Sequence, residues 1–160
     1  MKFTGGKNEN TGNITAGHNI AIFIGIDQIK NGSFVGKFKL CVEKEDEGLV
    51  PIDFIVHTFF SLYSKDNPDP YTLDIELINQ MYAAMGLGNR IVPGQQVELP
   101  GVNEKIPEEL STPIKIWLVP DKQSEFLKMA HKGYKWFWNL AEDVPFEQPA
   151  PKAGSGSDLL

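Results

Sequence analysis

Between positions 19 and 60 three runs of residues repeat with a period of two, and this alternation constrains the fold more than any other feature of the chain. Ile20, Ile22, Ile24 and Ile26 alternate with Ala21, Phe23, Gly25 and Asp27, which predicts a strand over 18–29 with one face in the core. Asn31-Gly32 follows, a pair that readily takes the positive φ angles of a tight hairpin turn, so the chain should reverse there. In the second run Phe34, Gly36, Phe38, Leu40 and Val42 share one face, and Lys37, Lys39 and Cys41 the other. A polar stretch over 43–48 then predicts a solvated loop. The third run, 49–60, is rich in β-branched and aromatic residues, with Ile52, Phe54, Val56 and Thr58 on one side and Asp53, Ile55, His57 and Phe59 on the other.

The strands pause at Asn67-Pro68-Asp69-Pro70, a strong turn signal. A helix should follow. Thr72 is placed to cap it, Asp74 and Glu76 suit its N-terminal turn, and Leu73, Leu77, Met81, Ala84 and Met85 repeat at three- and four-residue spacing. Gly86 or Gly88 supplies the stop. The Pro-rich stretch 89–113 reads as a long loop with a short strand at 96–99 and a helical turn at 107–110. Ile114, Ile116 and Leu118 alternate with Lys115, Trp117 and Val119, a further strand that ends at Pro120. The aromatic and basic segment 124–138 is open to two readings, a short helix or an extended piece packed on the sheet.

The expected fold is therefore mainly β with one or two helices: a small OB-like Greek-key barrel over 13–140, with a β-sandwich as the competing architecture. Residues 1–12, rich in Gly, Asn and Lys, predict a flexible arm, and the Pro, Ala, Gly and Ser of 141–160 predict a disordered C-terminal tail.

Composition narrows the function classes. A single cysteine, Cys41, excludes an intramolecular disulfide and a cysteine metal site, which fits a reducing, cytoplasmic setting in a host cell. No run approaches the roughly 20 apolar residues of a membrane span, so no membrane partner is expected. The net charge of −6 opposes nucleic-acid binding at first sight, but the charge is segregated. Residues 1–40 hold five Lys and two acids, and 121–137 hold four Lys and two acids, so one face can be basic on an acidic chain. His18, His57 and His131 lack metal-like spacing, no serine lies in a nucleophile-elbow sequence, and no Gly-rich phosphate loop opens a helix. No catalytic residue, metal or cofactor is expected. An enzymatic or sugar-binding reading would need converging acids, with Asp27, Glu43 and Asp53 as the strand-borne candidates.

Strand parity supplies the main candidate site. If Ile20, Ile22, Phe38, Leu40, Phe54, Val56, Ile116 and Leu118 fill the interior, the outward face presents Phe23, Lys37, Lys39, His57, Phe59, Lys115 and Trp117. Cations interleaved with rings suit single-stranded nucleic acid, because ammonium groups attract phosphates while rings stack on bases. The competing reading covers the same face with the long loop. A second basic and aromatic cluster runs through Lys128, Lys132, Tyr134, Lys135, Trp136, Phe137 and Trp138, of which Lys132, Lys135 and Trp136 are the candidate DNA contacts. Three successive rings cannot share one helical face, so some must close the barrel or meet a partner. In the tail, Asp143, Pro145 and Phe146 offer carboxylates beside an aromatic anchor, a chemistry suited to a basic, apolar pocket on another protein.

Ile14-Thr15-Ala16-Gly17, Gly32 with Phe34-Val35-Gly36-Lys37, Phe59-Phe60 and the helix from Ile78-Asn79-Gln80-Met81 through Tyr82-Ala83-Ala84-Met85-Gly86-Leu87 together resemble small phage-encoded single-stranded-DNA-binding proteins, over roughly 14–119. The resemblance implies an OB-like domain without enzymatic activity, acting beside replication or recombination. Glu142-Asp143-Val144-Pro145-Phe146 is similar to the acidic tip with which such proteins recruit replication and repair partners, which here would be replication or recombination proteins, although fourteen residues follow it. Arg90 as the lone arginine also departs from the family. Self-association stays open. The rival expectation is a viral structural or host-inhibitor protein that uses the aromatic cluster as a protein interface.

Overall fold

The computed structural model describes residues 14–62, 72–88, 99, 101–102, 105–123 and 126–142. The arm expected at 1–12, residues 143–160 of the expected tail, the Asn67-Pro68-Asp69-Pro70 turn, and the strand expected at 96–99 apart from Leu99 lie outside them. Three long antiparallel strands, β1 (Gly17–Gln28), β2 (Phe34–Lys44) and β3 (Gly48–Phe59), form a meander. The helix α1 (Ile75–Ala84) and a 3-10 turn (Glu108–Ser111) come next, then β4 (Ile114–Pro120), β5 (Leu127–Ala130) and β6 (Phe137–Trp138). The sheet order is β3-β2-β1-β4-β5, with β6 continuing along β4 beyond β5. The two edges, β3 and β5, approach one another, so the sheet curls into an antiparallel half-barrel of OB-like order.

Local chemistry explains the turns. The first hairpin is not the two-residue turn that Asn-Gly predicts. Its loop holds Lys30, Asn31 and Gly32, closed by Ile29 N–H donating to the Ser33 carbonyl at 2.9 Å. Only Gly32 takes positive φ, at 94°, while the Asn31 side chain accepts from the Ser33 N–H. In α1 the cap is Asp74 rather than Thr72, because the Asp74 carboxylate reaches the Leu77 N–H at 3.1 Å. At the other end Leu87 N–H donates to the Tyr82 carbonyl and Gly86 N–H to Ala83, the paired bonds of a Schellman stop around a left-handed Gly86.

The core is aromatic. Phe23 lies 5.5 Å from Phe38 and 6.1 Å from Phe60 between ring centroids, and Phe38 lies 5.3 Å from Phe137. Leu77, Ile78, Met81 and Tyr82 of α1 pack into the same cluster with Leu110 of the 3-10 turn. Gly36 is bare because the Phe60 ring lies where its Cβ would stand.

The parity expected for β1 is reversed. Ala21 and Phe23 face the core, at 0% and 1% exposure, whereas Ile20 and Ile22 are half-buried on the outer face. Phe23 is therefore a core residue and not a candidate contact. Its register decides this: Phe23 sits opposite Phe38, Ala21 opposite Leu40, and paired residues share a face. An irregularity between Phe23 and Gly25 inserts one residue, which brings Ile26 back to the inner face. For β2, β3 and β4 the expected inner rows hold, with Phe38, Leu40, Val56, Ile116 and Leu118 all buried.

Candidate nucleic-acid interface

Cross-strand register arranges the outer face in rows. His57 of β3 stands beside Lys37 of β2, which stands beside Gly25 of β1. Ile55, Lys39 and Ile22 form the next row, and Phe59, Val35 and Asp27 the row on the other side of His57. Farther along, Ile20 lies beside Lys115 and His18 beside Trp117. The alternation of β2 and β3 thus brings Lys37, Lys39, His57 and Phe59 into one patch, with neighbouring strands about 4.8 Å apart.

The β1 irregularity shapes this patch. It sets Gly25 opposite Lys37, and the Lys37 Cε runs 3.9 Å from where a Gly25 side chain would begin. Its ammonium then reaches Asp27 at 3.2 Å. Beside this pair a shallow open groove of about 320 Å³ is lined by Asp27, Ile29, Val35, His57, Thr58 and Phe59. Phe59 forms its wall and is 56% exposed, a large solvent-facing ring on a strand where the inner row is closed. Lys39 has no ion-pair partner among the described residues.

Lys115, Trp117 and Lys132 form a second group on the β4 side. The Lys132 ammonium lies 4.7 Å from the Trp117 ring centroid, a cation–π contact. Lys115 donates to the Glu142 carbonyl at 2.6 Å. Burial, and then the nearby Lys115 charge, hold the His18 imidazole below the usual histidine value.

Lys135 and Trp136 belong to a third place, a six-residue excursion, 131–136, between β5 and β6. Lys135 pairs with the Glu142 carboxylate at 3.0 Å, and the Trp136 N–H donates to Gln80 Oε1 of α1 at 2.9 Å. The Asn139 N–H bond and then Lys135 hold the Glu142 carboxyl below the usual glutamate value. Segment 124–138 is extended rather than helical where described, because β5 and β6 pair with the open edge of β4. Phe137 and Trp138 are buried at 0% and 3%, so two of the three successive rings are taken up by the fold.

Sequence reasoning left Asp27 and Glu142 out of the interface and counted Tyr134 in the aromatic cluster without making it a contact; Asp27 pairs with Lys37, and Glu142 holds Lys115 and Lys135. Gly133, between Lys132 and Tyr134, was a readable turn signal, whereas the reach of Glu142 to Lys115 and Lys135 depends on tertiary folding. Asp143, Pro145 and Phe146 lie outside the described residues. The acids weighed for catalysis do not converge: Asp53 and Glu43 are exposed, and Asp27 shares its row with Phe59, six residues along β3 from Asp53. Among the described residues no three His, Cys, Asp or Glu side chains are grouped to hold a metal ion, and no helix is long and apolar enough to cross a membrane. Comparison with protein-family models, curated proteins and solved structures returns no match, so the interface is read from its own geometry.

Proposed function

We propose that this chain is a non-enzymatic single-stranded-DNA-binding protein that holds the strand across the outer face of β2 and β3, in phage replication or recombination. The observation that carries the reading is the patch in which Lys37 stands beside His57, Lys39 follows one row on, and Phe59 remains 56% exposed at the groove. That face and the β1–β2 loop are where OB-type barrels take oligonucleotides. Lys37 and Lys39 are about 7 Å apart along β2 and meet phosphates, while Phe59 offers a ring to a base. The acidic run Glu45-Asp46-Glu47 sits at the opposite end of the β2–β3 hairpin, which reconciles the net charge with a basic strip. The Asp143, Pro145 and Phe146 segment serves to dock replication or recombination proteins, a role supported by sequence alone.

A fluorescent single-stranded oligonucleotide titrated at rising salt tests this. Affinity should fall steeply with salt, and Lys37→Ala with Lys39→Ala should flatten the log–log slope by about 0.7 for each phosphate that is no longer neutralised. No binding at low salt would remove the proposal.

A further inference from the structure

We infer that Tyr134 is a second stacking platform for the bound strand, outside the β2–β3 groove. The inference rests on the DNA-binding reading and adds a site to it. Between β5 and β6 the excursion ends in a two-residue hairpin, in which Lys132 N–H donates to the Lys135 carbonyl at 2.9 Å and Lys135 N–H to the Lys132 carbonyl at 3.2 Å. Both central residues take positive φ, Gly133 at 61° and Tyr134 at 67°. This is the geometry of a hairpin turn that favours Gly, Asn or Asp at both places. Among the described residues Tyr134 is the one side-chain-bearing residue in this region of φ.

Such strain persists only where the surroundings impose it. Here they do. Gln80 of α1 donates from Nε2 to the Tyr134 carbonyl at 3.4 Å and accepts the Trp136 N–H at 2.9 Å, while Lys132 is held over Trp117 and Lys135 by Glu142. A backbone held in this way could have turned its side chain inward, yet the Tyr134 ring is 75% exposed. The His131 imidazole backs it, 7° from parallel with centroids 5.7 Å apart, and the edge of Trp136 meets His131 in turn. One ring face meets His131, and Lys132 and Lys135 close the turn on either side of Gly133 and Tyr134. A rigid open ring beside cations is the arrangement on which a base stacks while its phosphates are neutralised.

The test compares Tyr134→Gly, Tyr134→Asn and Tyr134→Phe by oligonucleotide titration and thermal unfolding. Glycine and asparagine tolerate the backbone, so Tm should hold or rise while affinity falls by roughly fivefold or more, the size of one missing stack. The salt slope should not change, because no charge is removed. Phenylalanine keeps the ring and should keep the affinity. Unchanged affinity in the Gly and Asn variants, with wild type still binding, overturns the inference and leaves the β2–β3 reading intact. A lower Tm for Tyr134→Gly also overturns it, since the ring would then serve packing on His131. Wild type that fails to bind overturns both.

Discussion

Phe23 and Phe59 stand in similar alternating sequence, and truncating each to alanine should have opposite consequences. Phe23 is 1% exposed and packed against Phe38 and Phe60, so Phe23→Ala removes buried area and leaves a cavity, a change that costs about 3–5 kcal/mol. In a domain of this size each kcal/mol moves Tm by about 2–4 °C, so Tm should fall by roughly 6–20 °C. Phe59 is 56% exposed, so of the roughly 150–250 Å² an aromatic side chain can bury, about 65–110 Å² is withdrawn from water. At about 25 cal/mol per Å² that is ~2 kcal/mol, an upper bound because the unfolded chain is itself partly collapsed. Phe59→Ala should therefore lower Tm by only a few degrees, while removal of the stack weakens oligonucleotide binding by about 1–3 kcal/mol. Thermal unfolding by circular dichroism and a titration held below the lower Tm measure the two effects. A Phe23→Ala variant with wild-type Tm would show that β1 has been assigned the wrong face. A Phe59→Ala variant with wild-type affinity would take the ring out of the interface.

A methyl group at Gly36 would run into the Phe60 ring, which stacks on Phe23 and is fully buried, so Gly36→Ala should cost about 1–3 kcal/mol of overpacking. Phe60→Leu in the same chain should recover part of that cost in urea unfolding, and simple additivity of the two changes would refute the close approach. The depressed Glu142 carboxyl makes a signed prediction. A group whose folded value lies below its unfolded one stabilises the fold above the ordinary glutamate value of about 4.3 and loses that contribution as pH falls through the folded value. An NMR titration should therefore show Glu142 protonating below the ordinary range, with Lys135 released in the same step; a midpoint at or above about 4.3 contradicts the clamp.

The strands β1 to β4, the reversal at Asn31-Gly32, the helix and its glycine stop were legible in the sequence, because each rests on local chemistry. Alternation sorted the faces of β2, β3 and β4, where Lys37, Lys39, His57 and Lys115 separate polar from apolar rows. It failed in β1, where Ile20, Ile22 and Ile24 on one side and Ala21 and Phe23 on the other are both apolar. Periodicity identifies two rows there and cannot rank them.

The sequence by itself determined a mainly β fold in which three successive strands precede a helix, and it placed cations and rings together on the outer side of β2 and β3; that the sheet curls into a half-barrel rather than a sandwich was decided by the approach of β3 and β5. Tertiary structure alone decided that Phe23 turns inward to meet Phe38, that the Phe60 ring lies over the bare Gly36, that 127–130 and 137–138 extend along β4, and that Tyr134 is held in a strained turn by Gln80. Each of these depends on a partner far away along the chain, and burial, pairing and imposed strain arise only when such partners are brought together.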